Sequence, residues 1–257
     1  MAANPARHML AVISPAKTLD YKRPLPPLAP SAPRFEAEAG TLAGAAAKVS
    51  KKKLGELMHI SAPLAALNVE RFRSFDEAEQ RPALYAFAGD VYAGFEVRSL
   101  DGDAVDFAQD HLRILSGLYG LLRPLDAIRP YRLEMGTRWA PGRAKDLYAF
   151  WGGRVAETLA GDADDKIVIN LASKEYWRVV EGRLPPSLRV IEIDFREEGP
   201  GGLRFNTFAA KRARGMMARY ICEHRLSDPE ALQGFDSDGY AFDPEHSDEG
   251  RWRFSRS

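Results

Sequence analysis

Two short apolar runs, far apart in the chain, place the strongest limit on its fold. Residues 9–14 read MLAVIS and residues 167–171 read IVINL. Short runs of this kind, rich in valine and isoleucine, are typical of buried strands. The first run ends at a Ser-Pro pair and is followed by Lys17, Thr18 and Asp20. We therefore predict polar groups at the carboxyl edge of a sheet, where α/β proteins commonly bind ligands.

The rest of the chain predicts helices around a mixed sheet. Residues 189–195 alternate apolar and charged side chains and lead through a Gly-Pro-Gly-Gly turn to residues 203–208, which predicts a hairpin. Further strands are expected at residues 118–122 and around Tyr240 and Trp252. Helices are predicted at residues 34–50, 51–58, 62–75, 103–115, 146–159 and 209–224. The predicted fold class is α+β, a single domain over residues 9–257 with a mixed β-sheet flanked by helices, after an extension at residues 1–8.

Composition excludes several classes of protein. Lys and Arg together number 36, as do Asp and Glu, so no overall field draws the chain to nucleic acid or membrane. Polyanion binding would need a local patch, such as the mostly basic residues 211–225. The single cysteine, Cys222, excludes an intrachain disulfide, and its apolar surroundings favour a buried thiol. With no signal peptide and no run of about 20 apolar residues, we expect a cytoplasmic protein without membrane contact.

Two predicted helices lie close together at residues 51–73. Lysines begin the first helix and arginines end the second, as in a helix-hairpin-helix, which offers backbone amides to DNA phosphates. The Leu-x-Gly-Ile-Gly core of that hairpin is absent, and Ala66 stands where a glycine would be wanted. An ordinary helix pair with a solvated lysine run is the alternative. Residues 115–120 have glycines and offer a second placement, with one residue too many between them.

Basic and polar side chains recur at the ends of the predicted elements. Residues 110–138 are rich in arginine, which leaves two interpretations open: a structural ion-pair hub or an anion-binding surface. One arginine guanidinium can donate two hydrogen bonds to the oxygens of a phosphate, and tyrosines between the arginines can stack on bases. The candidate DNA- or phosphate-binding residues are Lys17, Lys51, Lys52, Lys53, Arg123, Tyr131, Arg132, Arg138, Asn170, Ser173, Lys174, Lys211, Arg212 and Arg214.

No strong catalytic signature occurs in the sequence. It has no phosphate loop, nucleophile elbow or His-Glu-x-x-His motif, and its histidines lack metal-ligand spacing. We therefore predict neither a metal site nor a cofactor. If the chain is an enzyme, Asp20 and Glu134 are the candidate general acid or base.

Several motifs in fixed order resemble the YaaA family of peroxide stress proteins. They read ISPAKTLD (residues 13–20), FAGDVYAGF (87–95), DFAQDHLRILSGLYGLLRPLD (106–126), RPYRLEMGTR (129–138), KDLYAFW (145–151), INLASKEY (169–176) and KRARGMM (211–217). The resemblance covers nearly all of the chain, from about residue 9 to residue 254. It implies a single-domain fold peculiar to the family, with a positively charged cleft and a helix-hairpin-helix-like element. It also implies double-stranded DNA binding, and protection from hydrogen peroxide by lowering unincorporated iron, which limits Fenton damage.

Three hypotheses follow for the functional site and its ligand. The first is a DNA-binding stress protein that reads phosphates without sequence preference through Lys17, Arg132, Lys174, Lys211 and Arg214, with Arg123 and residues 131–138 as the cleft wall. The second is an enzyme acting on a nucleotide or another phosphorylated small molecule held by Lys17, Asn170 and Lys174. The third is direct iron sequestration, for which the sequence offers only the acidic tail residues Asp236, Asp238, Asp243 and Glu245.

Overall fold

Eight of the strands in the described part of the chain form one mixed sheet, and the other four form two separate two-stranded sheets. The structure, a computed structural model, describes residues 9–164 and 167–257, so the predicted extension at residues 1–8 lies outside the described residues. The strands are β1 (Met9–Ile13), β2 (Thr18–Leu19), β3 (Arg81–Pro82), β4 (Phe87–Ala88), β5 (Leu112–Ser116), β6 (Gly120–Leu122), β7 (Ala127–Ile128), β8 (Ile167–Asn170), β9 (Arg189–Gly199), β10 (Gly202–Arg204), β11 (Ala241–Asp243) and β12 (Arg251–Arg256).

The centre of the sheet is parallel and its outer strands are antiparallel. The order is β11-β12-β9-β8-β1-β5-β6, with β10 paired to β9. β1 runs parallel to β5 and β8, and β9 runs parallel to β8 and β12. Strands β6, β10 and β11 pair antiparallel to their neighbours. The carboxyl ends of β1, β5 and β8 therefore meet at one edge of the sheet, and β1 and β8 are the two predicted apolar strands.

Helices cover this sheet. They are α1 (Glu36–Ala46), α2 (Lys51–Met58), α3 (Ala62–Arg73), α4 (Ala83–Ala86), α5 (Asp90–Phe95), α6 (Gly102–His111), α7 (Leu147–Trp151), α8 (Arg154–Ala163), α9 (Lys174–Trp177) and α10 (Thr207–Glu223). The longest, α10, packs against α5, α6, β1 and β9, and α8 packs against β1 and β6. Every residue of β1, β5 and β8 is buried. The predicted α+β fold with a mixed sheet is confirmed.

Helices α5 and α10 cross at two glycines. A Cβ on Gly94 would lie 2.1 Å from the carbonyl oxygen of Arg212, and a Cβ on Gly215 would lie 1.8 Å from that of Val91. Only glycine permits backbones to approach this closely. The crossing therefore fixes the position of α10 against α5.

Several predicted boundaries are wrong. The helix predicted at residues 103–115 ends at His111, because the next residues pair as β5 with β1. The helix predicted at residues 146–159 is broken at Gly152, whose φ of +55° leaves the helical region, into α7 and α8. The alternative placement of the helix-hairpin-helix at residues 115–120 is also wrong, because these residues end β5 and turn into β6.

The predicted hairpin at residues 189–208 is confirmed with different lengths. β9 continues to Gly199, and β10 ends at Arg204. The second strand is short because the side chain of Asn206 accepts hydrogen bonds from the backbone amides of Phe208 and Ala209 and so begins α10.

Candidate functional site

A cavity of about 870 Å³ opens at the carboxyl edge of the sheet, and we call it the edge cavity. Its lining comes from the loops after β1 and β8, the start of α5, β9 and the first turns of α10. Its lining is mixed in charge. The basic lining residues are Lys17, Lys174, Arg196, Lys211, Arg214 and Arg251, and the acidic ones are Asp90, Glu175, Glu192 and Asp194.

Hydrogen bonds join the loops that follow β1 and β8. Ser173 donates its backbone N–H to Oγ of Ser14 at 2.9 Å, and the two hydroxyls lie 3.4 Å apart. The hydroxyl of Tyr92 donates to the carbonyl of Ser14 at 3.2 Å. Asn170, at the end of β8, accepts the N–H of Ala172 at 3.0 Å and is buried. Asn170 therefore shapes the turn that presents Ser173 to the cavity.

Lys17 is anchored at the cavity by an acidic residue from another loop. Its ammonium lies 3.2 Å from Oε1 of Glu134, while 62% of its side chain stays exposed. The same oxygen accepts from Nε of Arg132 at 3.1 Å and from Nη2 at 2.9 Å. Glu134 itself is 9% exposed. The carboxylate thus compensates two cations and holds the Lys17 amine at the cavity mouth.

One face of α10 contributes three side chains to the edge cavity. Thr207, Lys211 and Arg214 line it, since residues four and seven positions apart share a helix face. Burial lowers the pKa of the Arg214 guanidinium, although Glu192 and Asp194 nearby act in the opposite direction. Its Nε is buried without a hydrogen-bond partner among the described residues.

Strands β9 and β12 add charged residues that the sequence reasoning missed. Nε of Arg196 donates to both carboxylate oxygens of Asp194, at 3.0 and 2.9 Å, and Arg253 contacts the same carboxylate at 3.2 Å. Arg251 pairs with Glu192 at 3.0 Å. The charged positions that alternate along β9 were a signal for these acidic residues. The pairing with β12 is a contact across distant parts of the chain and left no such signal.

Other predicted binding residues lie away from the edge cavity. Arg212 lines a separate depression beside Glu96 and Glu223. Nε of Arg123 donates to the buried carboxylate of Asp126 at 3.1 Å, which makes it part of an ion pair. Arg138 is exposed.

Tyr131 is a core residue and lies away from the cavity wall on which it was predicted. Its hydroxyl is 2.7 Å from Oγ of Ser116, and burial raises the pKa of this phenol well above its usual range. Its ring packs edge-on against those of Phe87 and Tyr119. Stacking on a base is therefore closed to Tyr131.

The two candidate acid–base residues occupy different places. Glu134 lies beneath Lys17, as described above. Asp20 lines a second cavity, of about 1240 Å³. Its carboxylate accepts the backbone amides of Arg23 and Lys22, at 3.1 and 3.0 Å, and these bonds lower its pKa. A carboxyl group with a lowered pKa is a weak proton acceptor at neutral pH, and Asp20 does not line the edge cavity.

Lys51, Lys52 and Lys53 are exposed in the first turn of α2. The hydroxyl of Ser50 caps this turn by accepting the amide of Lys53 at 3.2 Å. Three residues, with His59 in the left-handed region, connect α2 to α3, and Lys51 reaches Glu70 of α3 at 3.7 Å. The predicted pair of short helices is confirmed, and its contact with DNA stays a prediction.

Two carboxylates of the acidic tail are paired with basic groups. Asp243 contacts Nδ1 of His246 at 2.9 Å, and Asp238 pairs with Arg256. Within residues 9–164 and 167–257, no three His, Cys, Asp or Glu side chains are grouped as metal ligands would be. No helix in the described part of the chain is both long and apolar enough to cross a membrane.

Comparison with known proteins gives the chain a family. Residues 9–246 match the family described as peroxide stress protein YaaA. A UPF0246 protein of Rhizorhabdus wittichii is 60% identical over 252 residues, which cover 97% of this chain and 100% of the relative. UPF0246 proteins of Jannaschia sp. and Caulobacter vibrioides are 51% and 49% identical, over 97% and 96% of this chain and 97% and 99% of the relatives. The chain belongs to the peroxide stress protein YaaA family, and this membership supports a role in peroxide stress.

Proposed function

We propose that this chain limits Fenton damage during peroxide stress by lowering unincorporated iron, and that it binds double-stranded DNA through the cations of the edge cavity. Three separate elements bring amines to this mouth: Lys17 after β1, Lys174 at the start of α9 and Lys211 on α10. This convergence is the observation that carries the proposal. Exposed lysine amines bind DNA phosphates electrostatically, and these contacts do not depend on the base sequence.

The acidic lining residues determine which cations are available to a polyanion. Asp194 and Glu192 are engaged by Arg196, Arg253 and Arg251. Glu134, which is not a lining residue, contacts Lys17 and is also engaged by Arg132. Lys174 and Lys211 are exposed in the described structure. These two lysines, with Lys17, are therefore the groups that we expect to contact phosphates.

The test is binding of a labelled DNA duplex across a salt series. The affinity should fall steeply with salt, with a slope of about 0.9 for each phosphate neutralised. Lys211→Ala should weaken binding and reduce that slope by about one. Arg212→Ala removes a charge from the residue that follows Lys211 in the sequence. Because Arg212 lines the separate depression, this variant should leave DNA binding unchanged. A salt-independent isotherm, or equal losses in both variants, would remove the proposal.

The same variants test the link to iron in cells. A strain lacking the gene should show raised unincorporated iron after peroxide, measured by electron paramagnetic resonance of chelated iron. The wild-type gene and Arg212→Ala should restore the low level, and the combined Lys17→Ala and Lys211→Ala variant should fail to do so. Lys52→Ala reports separately on the α2–α3 pair, because it removes an exposed amine far from Lys211 in sequence.

A second candidate is an enzyme that acts on a nucleotide or other phosphorylated small molecule in the edge cavity. The volume of about 870 Å³ favours it, because small-ligand sites commonly measure about 300–1,000 Å³. Glu134 would serve as the general acid or base. If nucleotides produce no thermal shift and Glu134→Gln retains peroxide protection, this candidate fails.

A further inference from the structure

Exposed apolar side chains are concentrated between β10 and the start of α10, and one of them, Phe205, lines the edge cavity. The described residues include five large hydrophobic side chains that are exposed, and three of them, Leu203, Phe205 and Phe208, lie within six residues of one another. Phe208 is 73% exposed and Phe205 is 46% exposed. Exposed aromatic groups that cluster at a cavity are typical of a binding surface.

Each of these two rings is accompanied by a cation of the cavity. The guanidinium carbon of Arg196 lies 5.4 Å from the ring centroid of Phe205, which itself lines the cavity. The ammonium of Lys211 lies 5.8 Å from the ring centroid of Phe208. Both cations are cavity-lining residues, so the aromatic surface and the phosphate-binding surface adjoin each other.

Aromatic rings beside cations match a ligand that carries a planar ring and a phosphate. Nucleobases stack on aromatic side chains in this way, largely without regard to base identity. In a duplex, the faces of the bases are covered by their neighbours, so an aromatic side chain can stack only on an unstacked base. The cavity volume of about 870 Å³ lies within the range of small-ligand sites and is sufficient for one nucleotide.

We propose that Phe205 and Phe208 stack on the base of a single unpaired nucleotide whose phosphate is bound by Lys211 and Arg214. The proposal rests on the proposed phosphate binding at the edge cavity and adds the base. Duplex phosphates contact the exposed amines of the mouth, while an unpaired nucleotide enters beside the aromatic rings. The Arg214 guanidinium, whose Nε lacks a protein partner in the described structure, then gains an anion.

The test compares a labelled oligothymidylate with an abasic oligonucleotide of the same length, which has the same phosphates and no bases. The wild-type protein should bind the oligothymidylate at least about fivefold more tightly, as stacking of one base would provide. Phe208→Ala and Phe205→Ala should each remove most of that preference and leave binding of the abasic strand and of duplex unchanged. Phe208→Trp should retain it. Leu67→Ala, which truncates a side chain with the same 46% exposure on α3, is the control.

Competition with thymidine monophosphate distinguishes the sources of the nucleotide. Displacement of the oligothymidylate would identify a free nucleotide as a ligand, and no displacement would identify an unpaired nucleotide within a strand. Equal affinity for the thymidylate and abasic strands would overturn the proposal. It would also be overturned if the Phe208→Ala protein kept the base preference but lost self-association, because the rings would then be a contact between two copies. Loss of duplex binding in Lys211→Ala is a separate result that tests the proposed function alone.

Discussion

The ammonium of Lys17 lies 3.2 Å from Oε1 of Glu134, which joins the loop after β1 to the loop after β7. That single oxygen also accepts two hydrogen bonds from Arg132, whereas Oε2 is buried and has no partner in the described structure. Both cations therefore contact the same oxygen of the carboxylate. The arrangement makes Glu134 a positioning residue for the exposed amine of Lys17.

Replacing Glu134 should destabilise the fold. Glu134→Gln leaves Arg132 and Lys17 side by side without a counter-charge, and the loss in the free energy of unfolding should be about 1–3 kcal/mol. Glu198→Gln changes an exposed carboxylate of β9 and should stay within about 0.5 kcal/mol of the wild type. Urea unfolding measures both. An unchanged midpoint for Glu134→Gln would show that Arg132 and Lys17 need no counter-charge there.

The carboxylate of Asp162 should make stability depend on acid pH. Nη1 and Nη2 of Arg34 both contact it at 2.7 Å, and Nε of buried Arg113 contacts it as well. Burial raises the pKa of Asp162, but the two arginines outweigh that effect and hold it below the ordinary 3.8. A carboxyl group whose pKa is lowered on folding stabilises the protein at a pH above its unfolded-state pKa. That stability is lost as the pH falls through its folded-state pKa.

Asp162→Asn should therefore cost about 3 kcal/mol at neutral pH, because it leaves the Arg113 guanidinium buried without its counter-charge. Below a pH of about 4, the difference between the variant and the wild type should shrink. The free energy of unfolding in urea, measured from pH 7 to pH 3, gives both curves. Parallel curves down to the lowest pH would contradict the assigned pKa.

Cys222 should be inert to peroxide in the native protein. Burial raises the pKa of its thiol to about 12, and the thiolate is the reactive form. Native protein treated with hydrogen peroxide should keep an unmodified Cys222 by mass spectrometry, while urea-unfolded protein becomes oxidised. Cys222→Ala should still protect cells. Rapid oxidation of the folded protein, or loss of protection in the variant, would point instead to thiol chemistry.

The parts of the structure that depend on local pattern could be predicted from the sequence. The runs at β1 and β8 are rich in valine and isoleucine and too short for a typical helix, and both form buried strands. Lys211 and Arg214 share a helix face because of their spacing, whatever the rest of the fold does. The buried thiol of Cys222 follows in the same way from its apolar helical neighbours.

The parts that depend on contacts across the sheet could not be predicted. Leu112 and Leu115 fit the stripe of the preceding helix equally well, and only the pairing of β5 with β1 makes them a strand. Tyr131 lies between arginines in sequence, yet its hydroxyl meets Ser116 inside the core. Arg251 reaches Glu192 only because β12 pairs in parallel with β9. None of these partners is near in sequence.

The crossing of α5 and α10 should tolerate no side chain. A Cβ at Gly215 would lie 1.8 Å from the carbonyl oxygen of Val91, a backbone atom that cannot rotate away. Gly215→Ala should therefore force the helices apart and cost about 3 kcal/mol in the free energy of unfolding. Because α10 carries Lys211 and Arg214, protein that remains folded should also bind duplex more weakly.

Gly44→Ala is the matched control for this prediction. Gly44 lies within α1. Apart from its chain neighbours and the backbone of its own helix, no atom in the described structure comes within 4 Å of the position that its Cβ would take. Alanine there should stabilise the helix by about 0.5–1 kcal/mol, because it restricts the unfolded chain. Urea unfolding of the two variants should therefore shift in opposite directions. If Gly215→Ala shifts upward as Gly44→Ala does, the helices are not in backbone contact at this crossing.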